Sequence, residues 1–224
     1  MNQIAENIIR LKSILGEEVA LVAVSKTKPV DTIMQAYECG QRIFGENRVQ
    51  ELADKQPQLP PDIEWHMIGH LQRNKVKSIA GFVSLIHSVD SLRLLETING
   101  EALKAGRVIR CLLQFHIASE ETKFGLDMDE AEEIIRSVNT NGLDNVDIAG
   151  VMGMATYTDD HEQVRKEFRY LKHCFDQLKV TFFNDKTGFS IVSMGMSGDY
   201  MIAVEEGSNM VRIGSHIFGE RIKV

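Results

Sequence analysis

"LVAVSKTKPV", Leu21–Val30, is the stretch on which the reading of the whole chain turns. Four apolar residues run without interruption into Ser25, Lys26, Thr27 and Lys28, and Pro29 closes the segment. A strand apolar on both faces has to be covered on both faces, which is the habit of parallel sheets with helices packed outside. This one nevertheless ends on a lysine. Burial disfavours a charged amine, so a lysine in an apolar wall is paired, deprotonated or covalently used. Lys26 is therefore a candidate Schiff-base nucleophile, its lowered pKa leaving some neutral amine to attack an aldehyde. The plainer alternative is a surface lysine that merely follows a strand. Lys28, two residues on, is either solvated or tunes Lys26 by like-charge repulsion.

The same switch of period recurs along the chain. Strand-like runs are expected at Val19–Ser25, Arg42–Phe44, Glu64–Ile68, Leu85–Ser88, Val108–Phe115, Asp147–Met152, Ser190–Met194 and Met210–Ile213. Helical patterns lie between them, including "NRVQELADK", "NKVKSIAGF" and "DHEQVRKEFRYLKHCFDQLK". Eight strand–helix units in 224 residues predict an α/β fold, a closed (β/α)8 TIM-type barrel near the lower end of its usual size. An extra amphipathic helix, Ile4–Leu15, opens it. A doubly wound open sheet is the alternative. No linker or repeat divides the chain, so residues 1–224 are expected to form one domain.

Composition narrows the function. Hydrophobic residues make up 43% and charged residues 25%, and the net charge of −7 disfavours a general nucleic-acid or anionic-membrane binder. Cys39, Cys111 and Cys174 are widely spaced, suggesting neither a disulfide framework nor a metal knuckle. The N-terminus lacks the pattern of a leader, and no apolar run of about 18 residues occurs. A reduced, cytoplasmic monomer is the expectation.

In a (β/α)8 barrel the C-terminal tips of the strands share one mouth, where such folds place their chemistry. The tips carry Lys26, "GENR" Gly45–Arg48, "IGHLQ" Ile68–Gln72, His116, "GMAT" Gly153–Thr156, "SMGMSGD" Ser193–Asp199 and "RIGSHIFG" Arg212–Gly219. Met194–Asp199 leads into a helical pattern and, with Ser197, is suited either to cradling a phosphate or to plain capping by Ser197 or Asp199. Phosphate sites in barrels usually use the loops after strands seven and eight, and Gly214 and Ser215 supply the second loop here. Arg212, inside an apolar strand, needs a ligand or a buried acceptor, with Glu46 a candidate partner. His66 and His70 fall on a strand and its loop, not on a helix, so a zinc site is not indicated. The methionines Met152, Met154, Met194, Met196, Met201 and Met210 read as adaptable packing.

A lysine at strand one, serine and glycine after strand seven and arginine-x-glycine at strand eight are what a pyridoxal phosphate barrel requires. "AVSKTKP", "FGENRVQE", "WHMIGHLQRNK", "GVMGMAT", "SMGMSGDY" and "VRIGSHIFGER" resemble, in order from Ile4 to Arg221, the pyridoxal phosphate homeostasis proteins. That group is similar in fold to the N-terminal barrel of alanine racemase. The resemblance implies pyridoxal 5′-phosphate as cofactor, held as an aldimine on Lys26. Asn47 lies near the ring, Ser197 and the amides of Gly214 and Ser215 form the phosphate cup, and Arg212 faces the pyridine nitrogen. It also implies a part in vitamin B6 homeostasis, with apo-enzymes as recipients of the cofactor. The family often has asparagine where this chain has His116, in "QFHIASEETKFG". A carboxylate at the pyridine nitrogen would keep it protonated and the ring a strong electron sink, whereas a permanent cation leaves a weak one. Alanine racemase adds a tyrosine base from a second domain that these 224 residues do not contain. The expectation is a non-catalytic carrier, with a small amino-acid racemase as the alternative, His116 or Tyr157 then supplying the missing base.

Overall fold

The structure is a computed structural model that describes residues 2–119 and 124–220, so Lys123 and Arg221 lie outside it. Eight parallel strands close into a barrel in chain order. They are β1 Ala20–Val24, β2 Ile43–Glu46, β3 Glu64–Met67, β4 Leu85–Val89, β5 Ile109–Gln114, β6 Val146–Met152, β7 Ile191–Met196 and β8 Met210–Ile213. The closing seam pairs β1 with β8, setting Ala20 against Met210 and Val22 against Arg212. The helices are α1 Gln3–Leu15, α2 Val30–Glu38, α3 Val49–Lys55, α4 Leu92–Lys104, α5 Met128–Asn141, α6 His161–Phe182, α7 Tyr200–Glu205 and α8 Ser215–Phe218.

Local chemistry sets several of these boundaries. Asn2 caps α1 by accepting the Ala5 N–H at 2.8 Å, and the helix buries Ile8, Leu11 and Leu15 against the barrel and its neighbours α2 and α8. Asp127 and Glu130 make a reciprocal capping box at the start of α5, and Gly142 ends that helix in the left-handed conformation. "NKVKSIAGF" departs from expectation, forming a 3-10 helix, Arg73–Ser78, whose tighter winding still delivers Val76 to the core. Strand β7 runs two residues past its expected end. Gly195, with φ of +94°, turns the chain there, and a β-carbon at that position would lie 2.6 Å from the Ala203 side chain.

Two apolar clusters follow from the pleat. The larger contains residues of α1, α2, α4, α5 and α6 together with strand residues such as Phe44, Ile86 and Val211, and lies between sheet and helices. The smaller joins Val22, Val24, Ile68, Leu85, Leu112, Met152, Ile191 and Met210, the inward residues of the strands, and fills the lumen.

Candidate functional site at the barrel mouth

Period-two alternation carries the lumen-facing rows upward into polar residues. Val22 and Val24 are followed on the same face by Lys26, Met210 by Arg212 and Gly214, Ile191 by Ser193, and Leu85 by His87. The apolar floor therefore gives way to a polar layer and then to a cavity of about 820 Å³. Small-molecule sites commonly occupy roughly 300–1,000 Å³.

All six residues expected from the sequence, Lys26, Asn47, Ser197, Arg212, Gly214 and Ser215, line this one cavity. The Gly214 N–H donates to Ser197 Oγ at 3.3 Å, so the tips of β7 and β8 present a hydroxyl and an amide side by side. Asp199, not Ser197, takes the helix-start position, its Oδ1 accepting the Met196 N–H. Arg212 is 4% exposed. Its Nη1 donates to Ser193 O and Oγ, both at 2.8 Å, and its Nη2 to Gly153 O at 3.0 Å. Burial pushes the guanidinium down to about 10, opposed by the charge of Asp199, and it remains a cation at neutral pH. Three of its five donors are thus spent on the barrel wall. The alternative partner, Glu46, faces away from the lumen and binds Lys55 instead.

Lys26 is bracketed by a buried ionic network. Glu46 Oε1 accepts from Ser25 Oγ at 2.6 Å and from Lys55 Nζ at 2.8 Å, and Lys55 also donates to Ser25 O at 2.9 Å and Glu51 Oε1 at 2.6 Å. Glu51 in turn accepts the Thr27 N–H. Thr27 has φ of +65°, a left-handed conformation that a β-branched residue adopts only when its surroundings enforce it. The residues before and after Lys26 are therefore both held. Lys28 also lines the cavity, but its amine donates to the carbonyls of Phe218 at 3.0 Å and Gly219 at 3.4 Å.

Thr156 and His216, which the sequence placed at the mouth only as members of the stretches Gly153–Thr156 and Arg212–Gly219, are also among the lining residues. Tyr157 lines the cavity at 98% exposure, whereas His116 is not among the lining residues. His66, at which the sequence indicated no zinc site, lies in the polar layer with His87, a residue no motif had marked. A histidine inside the strand-like run "LIHSV" was the available signal.

Fold and mouth together define a (β/α)8 barrel of the alanine racemase type, and the alanine racemase N-terminal domain family matches residues 1–222. An alanine racemase of Clostridium difficile 630 superposes with a TM-score of 0.74 over 99% of this chain and 57% of its own, at 16% identity, a likeness of fold. The pyridoxal phosphate homeostasis protein of Aquifex aeolicus is 41% identical over 208 residues, 92% of this chain and 89% of that protein. PipY of Synechococcus elongatus PCC7942, solved with PLP bound, is 34% identical with a TM-score of 0.85, covering 96% of this chain and 100% of that one. The chain belongs to the pyridoxal phosphate homeostasis protein family.

Proposed function

We propose that this protein binds pyridoxal 5′-phosphate in the barrel-mouth cavity, anchored as a Schiff base on Lys26, and serves intracellular homeostasis of the cofactor without catalytic turnover. The observation that carries the reading is the convergence of six residues from the tips of β1, β2, β7 and β8 on one cavity. PipY, solved with PLP, and the name of the Aquifex relative support it.

The residues fit the group. Ser197 Oγ accepts the Gly214 N–H and keeps its own hydrogen to donate to a phosphate, while Gly214 and Ser215, on the neighbouring loop, would turn their amides to the group when it binds. Asn47 and Arg212 both line the cavity, where Asn47 would lie near the ring and Arg212 would face the pyridine nitrogen. The bound cofactor supplies an aldehyde for the lysine and, when its ring nitrogen is protonated, an electron sink. Arg212 has no proton acceptor to offer and, as a buried cation, opposes that protonation. The chain is proposed to act as a single-domain cytoplasmic monomer that passes the cofactor to apo-enzymes. The free thiols of Cys39, Cys111 and Cys174 suit a reducing compartment.

Reconstituted protein is expected to absorb near about 420 nm through an imine of the active lysine amine, and Lys26→Ala to lose the band. Borohydride reduction with peptide mapping should place the adduct on Lys26, and an adduct on Lys28 or Lys123 would refute the anchor. Incubation with L- and D-alanine in deuterated water should show α-proton exchange no faster than with the free cofactor. Multiple-turnover racemisation dependent on Lys26 would establish the racemase instead.

A further inference from the structure

Behind Arg212 the lumen holds a buried chain of polar side chains that the proposed function does not use. Arg212 Nη1 donates to Ser193 Oγ at 2.8 Å, Ser193 Oγ lies 3.1 Å from His87 Nδ1, and His87 Nε2 lies 3.0 Å from His66 Nδ1. Ser193 and His87 are fully buried and His66 is 3% exposed.

The donor inventory fixes where the protons lie. Arginine donates and never accepts, so Ser193 Oγ is an acceptor toward Arg212. Among the described residues the hydroxyl has one other partner, His87 Nδ1. Were that nitrogen protonated, the serine hydrogen would be a buried donor with no acceptor, an arrangement folded proteins avoid. The hydroxyl therefore donates to His87 Nδ1. A neutral imidazole with Nδ1 as acceptor carries its proton on Nε2, which then donates to His66 Nδ1, and His66 in turn carries its proton on Nε2. Burial holds both rings neutral, assisted at His87 by the charge of Arg212 and at His66 by that of Arg110.

We propose that Ser193, His87 and His66 are positioning residues for Arg212, a one-way hydrogen-bond relay that runs from the guanidinium through Ser193 and His87 to His66 and fixes the guanidinium against the barrel wall. The direction has a consequence. Because the relay accepts from Arg212 at its near end, it reinforces arginine as a donor and supplies no proton to the mouth. The relay's effect on a bound cofactor rests on the function proposed above, but its proton positions do not.

The test begins with cofactor-free protein carrying ¹⁵N-labelled histidine. His87 and His66, assigned by the loss of their signals in His87→Phe and His66→Phe, should both show a protonated Nε2 and a bare Nδ1 at pH 7. A proton on His87 Nδ1 would overturn the proposal. Next, ¹⁵N-arginine labelling reads Arg212 itself, whose restrained Nη signals should be lost in His87→Phe and kept in His87→Gln, whose amide can accept from Ser193 and donate to His66. Equal loss in both folded variants would also overturn it. The dissociation constant for pyridoxal 5′-phosphate should then rise roughly tenfold in His87→Phe, the scale of one hydrogen bond, and recover in His87→Gln. If the wild type fails to take up the cofactor at all, the proposed function falls, while the two spectroscopic arms still decide the relay.

Discussion

At the level of single residues, the barrel commits buried charge to orienting one amine. Glu46 is fully buried, and burial raises its carboxyl above the ordinary 4.5 although Lys55 and Ser25 both donate to it. Its second oxygen, Oε2, has no hydrogen-bond partner among the described residues. An apolar pair at positions 46 and 55 would avoid this desolvation, so stability alone does not explain the arrangement. What the ions provide is a grip on Ser25 and Thr27, the flanks of Lys26. Lys55→Met is expected to destabilise the fold by about 3–5 kcal/mol, because it leaves the Glu46 carboxylate buried without its cation. Adding Glu46→Gln should recover much of that loss, as measured by urea denaturation. At the opposite wall, Ser197→Ala removes one hydroxyl from the proposed phosphate cup and should weaken cofactor binding by roughly 1.5–3 kcal/mol. Equilibrium titration measures it, and an unchanged dissociation constant would place the phosphate elsewhere.

Among the elements, the strands were legible because their burial on both faces leaves an apolar run that no surface helix shows. The eight expected runs correspond to β1–β8, with differences confined to their ends. Strand-tip position then placed Lys26 at the mouth without any structure, and an arginine inside an apolar strand marked Arg212. The Lys55–Glu46–Glu51 network was not legible, since it joins the outward face of β2 to the last turn of α3, and residue spacing does not reveal which outward charges meet. Nor was the His87–Ser193 contact, a crossing of the lumen between β4 and β7. One tip-to-tip contact is testable through glycine. A β-carbon on Gly69, just beyond β3, would overlap Asn47 O and come within 2.8 Å of Asn47 Cα and 2.9 Å of its carbonyl carbon. Backbone atoms cannot swing aside as a side-chain end can. Gly69→Ala should therefore displace the β2 tip and with it Asn47, lowering cofactor retention more than Asn47→Ala does. Gel filtration of the loaded proteins followed by absorbance would compare them, and retention equal to wild type would mean that the tip relaxes without moving Asn47.

For the molecule as a whole, the polar layer makes stability depend on pH in a definite direction. His66 is pushed down to about 3 and His87 well below its ordinary 6.5, in each case chiefly by burial. In the unfolded chain both rings titrate near 6.5. Between that value and the folded ones the unfolded state binds protons that the native state refuses, so stability is full above pH 6.5 and falls as the solution is acidified. Each histidine contributes a slope of up to about 1.4 kcal/mol per pH unit. His66 alone would remove roughly 1.5–2 kcal/mol between pH 6.5 and 5, and His87 acts in the same direction, against the ~5–15 kcal/mol typical of a domain. Glu46 acts with the opposite sign, since a carboxyl raised by burial contributes stability at low pH that is lost as pH rises through its folded value. The two trends are separable by substitution, because His66→Gln removes one histidine proton and leaves Glu46 untouched. Urea unfolding at pH 7, 6 and 5 should show the wild type losing stability markedly faster than His66→Gln below pH 6.5. Parallel profiles for the two proteins would mean that His66 takes up its proton equally in both states, contrary to a neutral ring sealed in the lumen.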